Sequence, residues 1–171
     1  MSNYIRMRNE LLAQKIIRGL ESRNMSGYYA ADKEEALKIA LDLIPEGSSV
    51  TAGGCASAAE IKLISAIKNG NYNYIDRGKL SAEEYAPKAI CADVYLSSAN
   101  AITEDGILVN IDGTANRVNF IAYGPKKVVF IVGMNKVCDD IDGAIKRARN
   151  VAAPVNAQRF GLSTPCAKTG S

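Results

Sequence analysis

The stretch Ser49-Val50-Thr51-Ala52-Gly53-Gly54-Cys55-Ala56-Ser57 decides the fold. Four residues of strand character run straight through a glycine pair into a segment with Ile61, Ile64 and Ile67 at helical spacing. Working outward, the same alternation repeats. Residues 72–75 read as the next strand and 81–91 as a helix opened by a capping box, Ser81 with Glu84 three residues on. Residues 93–97 read as a strand, and the VVFIV run within 127–132 as a strand of the fully buried kind. Strands alternating with helices of this length predict an α/β fold, a three-layer α/β/α arrangement with a mostly parallel sheet covered on both faces.

On the N-terminal side the period changes to that of helices. Ile5, Leu12, Ile16 and Leu20 share one stripe of a helix over 3–25 that Gly27 closes. Asp32 caps a second helix over 33–44, ended by Pro45-Glu46-Gly47. Downstream, residues 100–111, NAITEDGILVNI, break the rhythm. Asp105-Gly106 between two apolar runs signals a two-residue hairpin, and Asp112-Gly113 a second turn. Residues 116–123 fit a short helix stopped by Gly124-Pro125. Asp139 or Asp140 caps a helix reaching about residue 150, and a last helical turn or two spans 154–160 before Gly161. The organisation expected is a single domain over 1–171, with N-terminal helices at 1–45, the α/β core at 46–162, and a tail at 163–171 without a closing element.

Composition narrows the function. The 171 residues contain no histidine, which excludes Ser-His-Asp and Cys-His nucleophile pairs and any imidazole metal ligand. Tryptophan is absent and aromatics are 6%, against a stacking platform for nucleic acid. Residues 1–115 carry 12 basic and 15 acidic groups, 116–171 carry 9 and 3. That basic end suits an anionic ligand or partner, or is a solvated helix face, and is too sparse for DNA. Cys55, Cys91, Cys138 and Cys166 form no CxxC pair, so neither a zinc knuckle nor a disulfide scaffold is expected. The opening residues have no apolar core like that of a secretory signal, and no run approaches a membrane span. The expectation is a cytoplasmic protein with reduced thiols and no membrane contact.

Four places carry candidate chemistry. Gly53, Gly54 and Ser57 make either a backbone cradle for an anion at a helix start or a tight turn packed on its neighbours. Cys55 reads as a small buried cysteine. Glu104, at a strand end, is a base or carboxylate nucleophile, or simply a charged hairpin tip. Asn100 opens that hairpin, and Asp112, Asn116 and Arg117 follow it as a polar group that suits a carboxylate or phosphate clamp. Gly133, Asn135 and Lys136 follow the VVFIV strand at the end where parallel sheets bind ligands.

The string NAITEDGILVNIDGTANRVNFIAYGPKKVVFIVGMNKV, with AAPVNAQRF beyond it, resembles the signature of the lactate-utilisation (LUD) domain family, formerly a domain of unknown function. That family is similar to the superfamily of glucosamine-phosphate isomerase, ribose-phosphate isomerase and CoA-transferase folds, which again implies three α/β/α layers. Glu104-Asp105-Gly106 resembles the Glu-x-Gly motif of the CoA transferases, whose glutamate forms the covalent intermediate. The resemblance implies work beside iron–sulfur partner proteins in lactate oxidation, and many such domains have no activity of their own. Short relatives run on past TPCAKTG into a cysteine-rich tail, whereas Cys166 is the lone cysteine there. An iron–sulfur cluster is therefore expected only if such a tail follows Ser171. Two functions stand: an accessory or regulatory subunit binding a small anionic metabolite or a partner, or an enzyme using Glu104, with Arg117, Asn135 and Lys136 on an anionic substrate. The long first helix either lies on its own sheet or packs across a homodimer.

Overall fold

The computed structural model describes residues 3–171. In chain order its elements begin α1 (Asn3–Glu21), α2 (Lys33–Asp42), β1 (Ser49–Ala52), α3 (Ala56–Glu60), α4 (Leu63–Asn69), β2 (Asn73–Tyr74), α5 (Ala82–Ile90) and β3 (Val94–Ser97). They continue β4 (Ala101–Thr103), β5 (Leu108–Val109), α6 (Asn116–Ala122), β6 (Lys127–Phe130), β7 (Val137–Cys138), α7 (Ile141–Arg147), α8 (Ala153–Arg159) and α9 (Pro165–Thr169). The chain forms two compact units that interleave along it. Residues 30–98 and 112–132 make a parallel-sheet unit; residues 3–29, 99–111 and 133–171 make a hairpin unit.

The parallel-sheet unit is built on four parallel strands in the order β2-β1-β3-β6. Alternate residues of a strand face opposite sides, and here both sides are apolar. Val94 and Leu96 of β3 join Val50 and Val129 in a core with Ala40 of α2 and Leu63 and Ile67 of α4. Tyr95, between them, joins Tyr85 and Ala89 of α5 and Phe120 of α6 in a second core. Helices on both faces of a parallel sheet give the α/β/α layering that the strand–helix alternation predicts. Local signals agree: the Asp32 carboxylate accepts from the Glu35 N–H at 2.9 Å, and Ser81 and Glu84 close the capping box at 3.2 and 2.9 Å.

One helix departs from expectation. The segment after the glycine pair is two short helices, α3 and α4, broken at Lys62 with φ +62°. Ile61 and Leu63 are both buried, yet residues two apart on one helix point about 200° away from each other. A left-handed exposed lysine between them re-aims the chain so that both reach the core.

The hairpin unit contains a three-stranded sheet, β5-β4-β7, antiparallel between β4 and β5 and parallel between β4 and β7. The hairpin loop is three residues, Glu104-Asp105-Gly106, and not the two expected. Thr103 N–H donates to the Ile107 carbonyl at 2.9 Å, and Gly106 N–H to the Thr103 carbonyl at 3.0 Å. Gly106 then takes φ +84°, the left-handed position that closes such a loop. The Thr103 hydroxyl selects it, donating to Asp105 Oδ1 at 2.5 Å and accepting from Ile107 N–H at 2.8 Å. Helix α1 ends at Glu21, short of residue 25, in a turn with Asn24 at φ +58°. It lies backbone to backbone on the loop: a Cβ on Gly19 would sit 2.0 Å from the Asp105 carbonyl oxygen.

Helix α7, capped by Asp140 alone, does not stop near residue 150. It passes through a five-residue π segment, Ala148–Ala152, into α8. Pro154 supplies no N–H and its ring crowds the carbonyl one turn back, and the widened turn absorbs both. The tail, expected to lack structure, carries α9, ended by Gly170 at φ +83°. Among the described residues no helix is long and apolar enough to cross a membrane.

Candidate functional site

In the parallel-sheet unit the structure brings together Gly53, Asp112 and Arg117. Helix α6 begins at a left-handed Ala115 that offers no side-chain cap. Asp112 takes that role from three residues upstream: Oδ2 accepts from the Arg117 and Val118 N–H groups at 2.9 and 2.8 Å. Its Oδ1 accepts from Arg117 Nε and Nη2 at 3.0 and 2.8 Å, and Nη1 donates to the Ser98 carbonyl at 2.6 Å. The guanidinium expected to clamp a ligand therefore ties the end of β3 to α6. Gly53 is needed for a related reason. A Cβ there would lie 2.4 Å from the Tyr95 hydroxyl and 3.1 Å from Arg117 Cγ, and its own N–H donates to the Leu96 carbonyl. Gly54 is exposed and Ser57 half-buried beside a Cys55 whose sulfur accepts from the Ala58 N–H at 3.4 Å.

Next to this cluster lies a cavity of about 580 Å³. Its walls include Tyr85, Tyr95 and Phe120, with Arg77, Asn116 and Asn119 among its polar lining. Arg77 follows the carboxyl end of β2, and α5 and α6, which lead back to the amino ends of β3 and β6, present their first turns to the cavity through Ser81 and Asn116, at the edge where parallel sheets bind ligands. The aromatic wall is ordered: Tyr85 meets Phe120 edge-on with centroids 5.8 Å apart, Tyr95 tilts on Phe120 at 5.6 Å, and the Arg77 guanidinium lies 5.9 Å from the Tyr85 ring. Thr51 Oγ1 donates to the Ile75 carbonyl, so the Tyr85 hydroxyl is the donor of its 3.1 Å bond to Thr51. Burial raises both tyrosine pKa values above the phenol range, Tyr95 most. Both are neutral hydrogen-bond donors at physiological pH.

The other candidates belong to the hairpin unit. Glu104 is not a free tip: its Oε2 lies 2.6 Å from Lys15 Nζ, with a quarter of the side chain exposed. Asp105 has partners of its own. The Thr103 hydroxyl bond, with Arg23 Nη2 at 3.2 Å, lowers its pKa below the usual carboxylate value. Each acid thus has a cationic partner of its own. Register separates Glu104 from Lys136: Ile102 pairs with Val137 and Thr103 with Cys138. Lys136 is then level with Ala101 at the amino end of β4, about 10 Å along the strand from Glu104. At that amino end Arg147 gathers the others, donating to the Asn100 carbonyl and, at 3.3 Å, to the Asn135 carbonyl. Asn100 Oδ1 accepts from Ile111 N–H at 2.8 Å, and Gly133 leaves room for the Asn135 side chain, whose Oδ1 would lie 2.5 Å from a Cβ.

A family model, the LUD domain, matches residues 13–171. The chain belongs to the LUD-domain family. It is accordingly a lactate-utilisation-related protein. No curated protein and no solved structure matches it.

The donor set of this LUD-domain chain does not fit an iron–sulfur centre. Cys55 is buried, Cys91 exposed, Cys138 and Cys166 half-buried, and among the described residues no three His, Cys, Asp or Glu side chains cluster as metal ligands. Sequence reasoning missed Arg77, Tyr85, Tyr95, Lys15 and Arg147. Tyr95 had one available signal, a large aromatic in the middle of a strand beside a glycine turn. Arg77 and Arg147 had none, because a ring face and backbone carbonyls are partners that no residue spacing announces.

Proposed function

We propose that this LUD-domain chain is an accessory subunit of lactate utilisation that binds a small anionic metabolite, works beside iron–sulfur partner proteins, and does not turn the metabolite over. The observation that carries the reading is a contrast within the fold. Asp112 and Arg117 neutralise each other, Glu104 is paired with Lys15, and the cavity beside Tyr95 stays open at the ligand-binding edge of the sheet. Chemistry needs a converging acid, base or nucleophile, whereas binding needs only shape, donors and a counter-charge. The test is calorimetry and thermal shift with lactate, pyruvate, CoA thioesters and sugar phosphates, with product assay in parallel. A stabilising anion that is recovered unchanged is the expected result; at a hundred times its Kd it adds about 2.7 kcal/mol. Turnover, or no response to any anion, overturns the proposal.

One observation favours an enzyme instead. Glu104 follows the end of β4 with its carboxylate still a quarter exposed beside a lysine, a placement open to nucleophilic or base chemistry of the CoA-transferase or sugar-phosphate isomerase kind. In that case Glu104→Gln abolishes acyl exchange or isomerisation.

A further inference from the structure

The Tyr95 residue is 1% exposed. Among the described residues its hydroxyl makes no hydrogen bond, yet no buried side-chain oxygen or nitrogen lacks a partner. The sliver of Tyr95 that stays accessible therefore includes its hydroxyl, and Tyr95 lines the cavity. A phenol buried on its ring and without a protein acceptor leaves its accessible hydroxyl to water at the cavity wall. A ligand oxygen can take that water's place, and a protein carbonyl in the same place would have made the tyrosine merely structural.

The rest of the lining defines the ligand. Tyr85, Phe120, Leu80 and Ala86 give an apolar wall, and Arg77 is the cation among the lining residues. The volume of about 580 Å³ falls in the range that holds drug-sized molecules, well above a three-carbon hydroxy acid. Resting on the binding function above, we propose that the cavity takes a monocarboxylate with an aromatic or branched aliphatic body larger than lactate. An oxygen of the ligand accepts from the Tyr95 hydroxyl, its body packs on Phe120 and Tyr85, and Arg77 supplies counter-charge.

Titration calorimetry of the full chain with phenylpyruvate and 4-methyl-2-oxopentanoate, against lactate, tests this. Both probes bind at least tenfold tighter than lactate. Tyr95→Phe weakens each about tenfold, the loss of one bond to a charged acceptor. Its Tm without ligand does not fall, because the hydroxyl has no partner in the fold. Arg77→Gln weakens both carboxylates but not phenylpyruvamide, and Ala86→Leu, which fills the cavity from α5, blocks every probe even if Tyr95→Phe is unstable. Lactate binding as tightly as the larger probes, or either Tyr95→Phe or Ala86→Leu binding phenylpyruvate like the parent, overturns the assignment while leaving the accessory-subunit reading intact. Silence from every anion overturns both.

Discussion

Asp112 and Glu104 are each within 2.8 Å of a basic nitrogen, and their surroundings make the two pairs different objects. In the parallel-sheet unit 9% of the Asp112 side chain and 12% of Arg117 are exposed; in the hairpin unit the figures are 25% for Glu104 and 56% for Lys15. A desolvated pair is costly to break, since the survivor is left charged in a poor solvent. A wet pair is backed by water and contributes little. The difference teaches that closeness of charges does not mark a working site: one pair holds a helix to a strand end, the other rests lightly on a hairpin.

The sharpest way to break this comparison is to remove one partner from each pair. Asp112→Ala strips α6 of its cap and leaves the Arg117 guanidinium unmatched, and is expected to lower unfolding free energy by about 3–5 kcal/mol in urea titration. Lys15→Gln, removing the exposed partner of Glu104, costs about 0.2–1 kcal/mol. Equal losses would mean that exposure does not separate the pairs.

Between these extremes falls Gly19→Ala. The hairpin unit is tied to α1 less by charge than by backbone approach, and a methyl group 2.0 Å from the Asp105 carbonyl must displace one of them. Overpacking against backbone is expected to cost about 2–3 kcal/mol. Amide exchange localises the damage: faster exchange at Gly106 and Ile107, with the β3 amides protected as before, supports the contact. A variant as stable as the parent would show that α1 lies elsewhere.

These positions also show what was legible beforehand. The parallel sheet could be read because its signals are local: β-branched runs, the Ser81 and Asp32 caps, and alternation that sends Val94 and Leu96 one way and Tyr95 the other. The hairpin loop is one residue longer than the Asp-Gly pair predicts because the Thr103 side chain selects the turn. The π segment has no signal of its own, because Pro154 carries the signature of a helix start and is accommodated inside a continuing helix. Among site residues, Arg117 has the residue type of an anion clamp, and the anion it holds in the fold is Asp112, five positions away. Residue type specifies a capacity; which partner fills it is decided by packing. Tyr95 illustrates the converse, since its unused hydroxyl is visible only once every neighbour is in place.

The smallest expected effect belongs to Asp93, at the amino edge of β3, and it sharpens the comparison by adding a pair of a third kind. Lys126 Nζ at 2.7 Å, then the Ser49 hydroxyl and N–H at 2.6 and 2.9 Å, hold its carboxyl far below the usual carboxylate range. A carboxyl whose pKa is depressed in the folded state contributes stability that is complete above the unfolded value, near pH 4, and is lost as pH falls below it. The group is solvated, so the contribution is modest and salt-sensitive. Urea midpoints measured from pH 7 to pH 2.5 should fall less steeply for Asp93→Asn than for the parent, with the curves converging at the acid end and the gap at pH 7 narrowing in 1 M salt. Parallel curves would show that Asp93 titrates alike in both states, and that the lysine and serine around it are neighbours without energetic consequence.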